Sequence, residues 1–222
     1  MASRSLVWDR AQALYALYRR RQRLRTAEEA ILAEEVRRLQ SFARLQPEPI
    51  SEASSPAFLQ RIRQLDPFFL LTLGGPLYRK ELLEIIRGVA INQHAGWSPD
   101  FKGSYTTDWA FYHRDLRRLG STVHLTTTGA DAGPILRRAH PCLLPSDTPE
   151  TAFIRVVALG TELMVEVVRE MIAHGEIPVF DQPPASGRTF LEAELGGGVL
   201  AAMARDASSG WLRMELDRLR RF

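Results

Sequence analysis

Cysteine is almost absent from this 222-residue chain: Cys142 stands alone, so no intramolecular disulfide can form and a cysteine-rich zinc site is excluded. Histidine is sparse too. The five residues lie at 94, 113, 124, 140 and 174, with no helical pair of the metalloprotease kind, so no dedicated metal site is expected. No apolar run approaches the roughly 18 residues of a membrane-spanning helix. Asp9 and Arg10 interrupt the only apolar start, Leu6-Val7-Trp8, so no signal peptide is read and the cytoplasm is the expected address. There is no internal repeat and no low-complexity segment. Charge of one sign is scarce overall, at a formal +3, but it is concentrated. Residues 1–46 hold ten arginines against five acidic residues, or +5, which leaves −2 for the rest. A basic surface extending over the whole chain, the footprint of a nucleic-acid binder, is therefore missing.

What is present suits a globular protein. Hydrophobic residues make up 45% and charged residues 25%, ordinary values for one moderate domain with an appended tail. Residues 8–45 read as helix in two pieces. Leu14, Leu17 and Tyr18 share one side of the first piece, and the Thr26/Glu29 pair, spaced as a capping box, predicts a second start near 27. Leu32, Val36, Leu39 and Ala43 then recur at helical spacing. The run Arg19-Arg20-Arg21-Gln22-Arg23-Leu24-Arg25 reads first as a solvated helix end, where cations suit the dipole. A grip on a phosphate or nucleotide is the sharper alternative. RNA is disfavoured, since no aromatic side chains interleave with the arginines as a stacking platform.

After a breaker at 47–49, Ser55-Pro56 opens a helix with Phe58, Leu59, Ile62 and Leu65 on its apolar face, and Asp66-Pro67 ends it. The continuous run Phe68-Phe69-Leu70-Leu71-Thr72-Leu73 predicts a buried strand of a parallel sheet. A helix over 76–87 and the strand Val89-Ala90-Ile91-Asn92 follow. A polar loop spans 93–103, a helix 105–118, and two strands 121–128 and 134–142 are joined by a tight turn at 129–133. Asp147-Thr148-Pro149-Glu150 caps a long helix that reaches about His174. Beyond a Pro/Gly loop at 181–188, two short helices divided at Ser208-Ser209-Gly210 complete the chain.

The chemistry is expected where the second strand ends. Asn92 and His94, two residues apart at the carboxyl end of a strand, can point into one crevice and donate to one developing oxyanion. Asp131 adds a carboxylate on the loop between two strands, able to orient His94 and accept a proton. Each alone also has an ordinary structural reading: a turn amide, a loop histidine, the acid of an Asp-x-Gly turn.

Together they form three linked motifs: Asn92-x-His94-x-Gly96-x-x-Pro99-x-x-Lys102-Gly103, then Leu119-Gly120-Ser121-Thr122-Val123-His124, then Asp131-x-Gly133-Pro134-Ile135-Leu136. In that order and spacing they resemble the folate-dependent formyltransferases, over about 68–171. The resemblance implies a Rossmann-like α/β fold with a mostly parallel sheet flanked by helices. It implies catalysis by Asn92, His94 and Asp131, with His124 in support. It also implies 10-formyltetrahydrofolate as formyl donor, lined by Leu73, Gly74, Gly75, Pro76 and Leu77 and wrapped by Thr126, Thr127, Thr128, Gly129 and Ala130.

Two departures qualify it. The strand–helix–strand unit that opens such domains is not read before Pro67, so the acceptor side is open to question, and an exposed sheet edge is expected. The N-terminal helices or a second chain should cover that edge. The tail is too short for the β-barrel of methionyl-tRNA formyltransferases, which argues against initiator tRNA. The expected organisation is a catalytic domain over 1–178, comprising a helical segment 1–66 and the motif-bearing part 68–171, and a loop-and-helix tail over 179–222. The expected function is N-formylation of a small amine, such as a nucleotide-linked amino sugar or a biosynthetic intermediate, by a homodimer without membrane or nucleic-acid partners. The alternatives are a formyltetrahydrofolate hydrolase and a non-catalytic or partner-dependent folate-binding relative.

Overall fold

The computed structural model describes residues 2–40, 50, 52–183 and 186–219. In chain order come helix α1 (Ala2–Gln40), α2 (Pro56–Leu65), strand β1 (Phe69–Leu73), α3 (Lys80–Leu83), β2 (Val89–His94), β3 (Phe101–Gly103) and α4 (Thr106–Tyr112). Then follow β4 (Ser121–Leu125), β5 (Ile135–Ala139), α5 (Pro149–His174), β6 (Arg188–Phe190), α6 (Gly197–Ser208) and α7 (Trp211–Leu219). Four strands form the central sheet in the order β1-β2-β4-β5, and β3 with β6 forms a separate ribbon.

The α/β class with a helix-flanked sheet is as expected. The sheet itself is mixed rather than mostly parallel. Only β1 and β2 run parallel, with Thr72 beside Asn92. β4 runs antiparallel to β2, and β5 antiparallel to β4. The reason is local. The chain between β2 and β4 brings it back no further than the carboxyl end of β2, where Thr122 pairs with His94, so β4 must run the other way.

Strand alternation decides which face does what. Ile91 and Val123 point to α5 and are fully buried with Leu136, Leu163, Met164 and Val167. Gln93 and Ser121 point the same way, and the Gln93 amide donates to the Val157 carbonyl at 3.0 Å. Asn92, His94, Thr122 and His124 therefore share the opposite face. α5 lies unusually close to the sheet at Gly160, where an added Cβ would meet Gln93 Nε2 and Ser121 Oγ at 2.1 Å each. Only glycine permits that approach. The start of α5 is tied reciprocally: Thr148 Oγ1 accepts from the Thr151 N–H, and Thr151 Oγ1 from the Thr148 N–H. A second apolar cluster joins Phe101, Trp109, Phe111 and Phe190 to Met203, Trp211 and Leu212, so the tail helices pack into the body of the fold.

Several local expectations are corrected. The helix expected over 76–87 shrinks to α3, and that over 105–118 to α4 plus one 3-10 turn at Leu116–Arg118. The tight turn at 129–133 is the middle of a longer loop between β4 and β5. The ribbon of β3 and β6 has three residues per strand, too short for an alternation to register. β1 is an edge strand rather than a buried one, with Leu71 47% and Leu73 54% exposed.

Helix α1 differs most. It runs unbroken through the expected start near 27, and Thr26 Oγ1 donates to the Gln22 carbonyl at 3.3 Å instead of capping. Leu14 and Tyr18, expected on an apolar side, are 63% and 57% exposed. Ala43 and the breaker at 47–49 fall outside the described residues, as do the side chains of Val36 and Leu39. The arginine run lies inside α1 rather than at its end; Arg19, Arg21, Arg23 and Arg25 are exposed as expected, but Arg20 is not. Arg20 is buried and forms a two-pronged pair with buried Asp108, Nε to Oδ1 at 2.9 Å and Nη2 to Oδ2 at 2.5 Å. Its guanidinium also lies 4.9 Å from the centre of the Tyr105 ring. Arg23 Nε reaches buried Glu150 at 2.7 Å. Asp108 and Glu150 occupy the first turns of α4 and α5, where the helix dipole favours a negative charge. These pairs tie α1 to the starts of α4 and α5, and it packs on α5 and α6 instead of along β1.

Burial pushes the Asp108 carboxyl above its ordinary range, against the pull of the Arg20 charge. Removing one member of such a pair strands the other. Arg20→Met is expected to lower unfolding free energy by about 3–5 kcal/mol, and the double variant Arg20→Met/Asp108→Leu to recover most of it. Urea denaturation midpoints of the three proteins would check this.

Candidate active site

The carboxyl end of β2 delivers the two expected side chains to one place. Thr72, beside Asn92 on β1, donates its hydroxyl to Asn92 Oδ1 at 2.8 Å. That bond fixes which way the amide points. Asn92 Nδ2 is left facing His124 Nε2 at 3.1 Å and Asp131 Oδ1 at 3.3 Å. His124 Nδ1 lies 2.8 Å from the Leu125 carbonyl and carries a hydrogen to it, while its Nε2 faces both Asn92 Nδ2 and, at 3.4 Å, Asp131 Oδ1.

Asp131 reaches the same point from the loop between β4 and β5, at a left-handed φ of 47° that aspartate tolerates better than most residues. Its Oδ2 accepts from the Gly103 N–H at 2.7 Å and lies 3.2 Å from His94 Nδ1. His94 is buried, and its Nε2 donates to the Phe101 carbonyl at 2.9 Å. The three expected residues thus form one connected cluster, with His124 as its fourth member.

The electrostatics are consistent with a carboxylate in the centre. Burial alone would raise the Asp131 carboxyl. The His124 hydrogen bond, the His94 charge and the Gly103 N–H outweigh it and hold the group below its ordinary value. For His94 the balance goes the other way: burial lowers the imidazole, and neither Asp131 nor the Phe101 carbonyl fully restores it.

A cleft of about 720 Å³ opens over this cluster. Its lining includes Leu73, Gly74, Gly75, Pro76, Leu77, Thr126, Thr127, Gly129 and Ala130. Of the residues expected to hold a cofactor, Thr128 alone is not on that wall. Gly74 and Gly75, at φ of 62° and 98°, turn the backbone aside at the end of β1. Thr126 Oγ1 is buried without a hydrogen-bond partner among the described residues, a polar atom available to a bound ring. Sequence reasoning missed four contributors: Thr72, Tyr78, Tyr105 and the α1 wall of Leu24, Glu28 and Leu32. Only Thr72 had a legible signal, its place beside Asn92 once the two strands are read as parallel.

An amide, an imidazole and a carboxylate converging at a strand end of an α/β fold can together stabilise an oxyanion and move a proton. Comparison is more specific. The formyl transferase family model matches residues 10–168, more than half of the chain, and the chain belongs to that family. The match begins within α1, well before the motifs. A methionyl-tRNA formyltransferase of Anaeromyxobacter dehalogenans (strain 2CP-C) is 32% identical over 187 residues, which cover 83% of this chain and 56% of that protein. One from Clostridium novyi (strain NT) is 27% identical, covering 61% and 43%. The chain spans about half the length of these curated relatives. Among solved structures, a sugar N-formyltransferase from a Shewanella species superposes with a TM-score of 0.55 at 16% identity, covering 86% of this chain and 83% of that one. The formyltransferase PseJ from Anoxybacillus kamchatkensis, solved with a UDP-linked formamido sugar and tetrahydrofolate, gives 0.54 at 22% identity, covering 68% and 75%. These structures share the fold.

The His94 shift has a consequence for stability. Its folded-state pKa is lowered, so between that value and the unfolded value of about 6.5 the unfolded chain binds more protons. Stability is therefore expected to fall as pH drops below about 6.5 and to be indifferent to this group above it. The Asp131 contribution, from a depressed pKa, is present above about pH 4 and lost as pH falls further. Thermal midpoints of wild type and His94→Gln between pH 8 and 5 should show a shallower acid slope in the variant, with His113, also lowered chiefly by burial, carrying the remainder.

Proposed function

We propose that this chain transfers a formyl group from 10-formyltetrahydrofolate to the amine of a small acceptor. The observation that carries the reading is the bonded cluster of Asn92, His94, Asp131 and His124 at the floor of the cleft. The wall around residues 73–77 and 126–130, with backbone polar groups and the unpartnered Thr126 hydroxyl, suits a flat heterocycle with several donors and acceptors. The cofactor supplies the activated formyl carbon. Asn92 Nδ2 would be the donor for charge that develops on the formyl oxygen. Asp131 would take up the proton the amine loses and return it to the cofactor nitrogen as that nitrogen's bond to the formyl carbon breaks, with His94 and His124 holding the carboxylate in place.

The acceptor is proposed to be a small amine, a nucleotide-linked amino sugar being one class, in keeping with what the PseJ structure contains. A cytoplasmic enzyme is proposed. No helix among the described residues is long and apolar enough to cross a membrane. A homodimer is proposed over the β1 edge, where Leu71 and Leu73 are half exposed. That same edge favours a second reading in which the chain needs a partner to be active.

The decisive experiment adds 10-formyltetrahydrofolate to wild type and Asn92→Ala and follows both binding and formyl loss with candidate amines. Loss of one oxyanion donor should lower kcat about 100- to 1,000-fold while binding persists. Turnover without any amine would point to hydrolysis instead, binding without turnover to a required partner, and absence of folate binding would sink the reading.

A further inference from the structure

The segment between α5 and β6, which includes most of the Pro/Gly loop expected at 181–188, holds the loop that carries Asp131 from behind. Phe180 pairs with Ile135 in an isolated antiparallel bridge, N to O at 2.8 Å in both directions. Two residues on, the Gln182 amide nitrogen donates to the Asp131 carbonyl at 2.8 Å and to the Gly133 carbonyl at 2.6 Å. Both hydrogens of that nitrogen are thus used on the main chain of one tight bend, the bend that gives Asp131 its left-handed φ. With two carbonyl oxygens in front of it, the amide can be oriented in only one way. Its Oε1 is buried and has no hydrogen-bond partner among the described residues, so the side chain's contribution is its two donor bonds. Further along, β6 pairs with β3 and thereby sets Gly103, whose N–H binds Asp131 Oδ2.

We infer that Gln182 is a positioning residue for the proposed formyl transfer, fixing the backbone of residues 131–133 so that the Asp131 carboxylate meets Asn92, Gly103 and the two histidines. The inference rests on the functional reading above for its kinetic arm only. Gln182 lines no part of the cleft, so it can influence the reaction only through the loop. Without it Asp131 can swing away, and the groups that hold its proton off weaken together: the His124 ring, the His94 charge and the Gly103 N–H. Gln182→Glu provides the complementary case. Its carboxylate would face two carbonyl oxygens with no hydrogen to give them, and protonation would return one donor.

The test uses the full chain with Asp selectively labelled with 13C at the carboxyl carbon, assigned through Asp131→Asn. Three variants, Gln182→Ala, Gln182→Glu and Gln182→Asn, are compared with wild type. The Asp131 titration is expected to move up toward the ordinary carboxylate value of about 3.9 in Gln182→Ala, with folate-analogue binding within threefold of wild type. With the best acceptor amine, kcat should fall at least tenfold in Gln182→Ala with KM nearly constant, and Gln182→Glu should regain part of its rate as pH is lowered. An unchanged Asp131 titration in a folded Gln182→Ala would overturn the inference, as would equal loss of folate binding and rate. A shifted titration in a chain that neither binds folate nor transfers formyl would uphold the positioning role and refute the functional reading instead.

Discussion

The site depends on one carboxylate held by several donors. Asp131 arrives from a loop, Asn92 and His94 from a strand, and Gly103 from a separate ribbon, and only the Asp131 oxygens connect all three. A buried carboxyl without partners would protonate, since burial raises its pKa and leaving it charged is costly. Here the N–H of Gly103, the Asn92 amide and the two imidazoles offset that cost, and the group stays ionised. The same bonds define the loop. Residues 126–134 have no regular structure, and their shape follows from the carboxylate at one end and the backbone grip of Gln182 at the other.

The sheet beneath separates stability from chemistry by alternation. On the α5 side, Ile91, Val123 and Leu136 are buried against Leu163, Met164 and Val167, and the packing is close enough to demand glycine at 160. On the other side the same strands present Asn92, His94, Thr122 and His124. A one-residue slip of β2 would exchange the two sets, placing a histidine in the apolar cluster and an isoleucine in the site. The apolar face thus fixes the register that the polar face needs. Polar residues on the α5 side, Gln93 and Ser121, do not break this rule, because each bonds at the strand–helix boundary.

Much of this was legible in the sequence, and the remainder was hidden for identifiable reasons. Asn92 and His94 could be placed at one strand end from local pattern, and the resemblance of the three motifs to the formyltransferases joined Asp131 to them. The start of the long helix at Thr148 and the division at Ser209-Gly210 are written in local capping and turn chemistry, which a sequence shows directly. The direction of β4 was not, since it depends on where residues 95–120 bring the chain back. Nor was the role of Arg20. A run of arginines looks solvated until a carboxylate 88 residues away is brought beside it, and only the tertiary structure does that. The Thr26/Glu29 pair misled for the same reason: Arg20, Arg23 and buried Ala27 anchor the helix up to and through the expected start, and tertiary anchoring overrides a local cap.

The resting site is closed on itself, and that bears on how the proposed reaction could proceed. One hydrogen of Asn92 Nδ2 is directed at Asp131 Oδ1, 3.3 Å away, and the nitrogen also faces His124 Nε2. A donor serving an oxyanion must first leave an existing acceptor. If Asp131 takes the proton from the attacking amine, its charge disappears, and a neutral carboxyl is the weaker acceptor, since hydrogen bonds to ionised groups are roughly twice as strong. Negative charge grows on the formyl oxygen in the same step. The preference of the Asn92 N–H would therefore pass from Asp131 to the oxyanion as the proton moves, coupling the base to the donor through one shared hydrogen. The 3.3 Å length of the Asn92–Asp131 contact, long for a bond to a carboxylate, fits a donor held near its second acceptor without being locked onto the first.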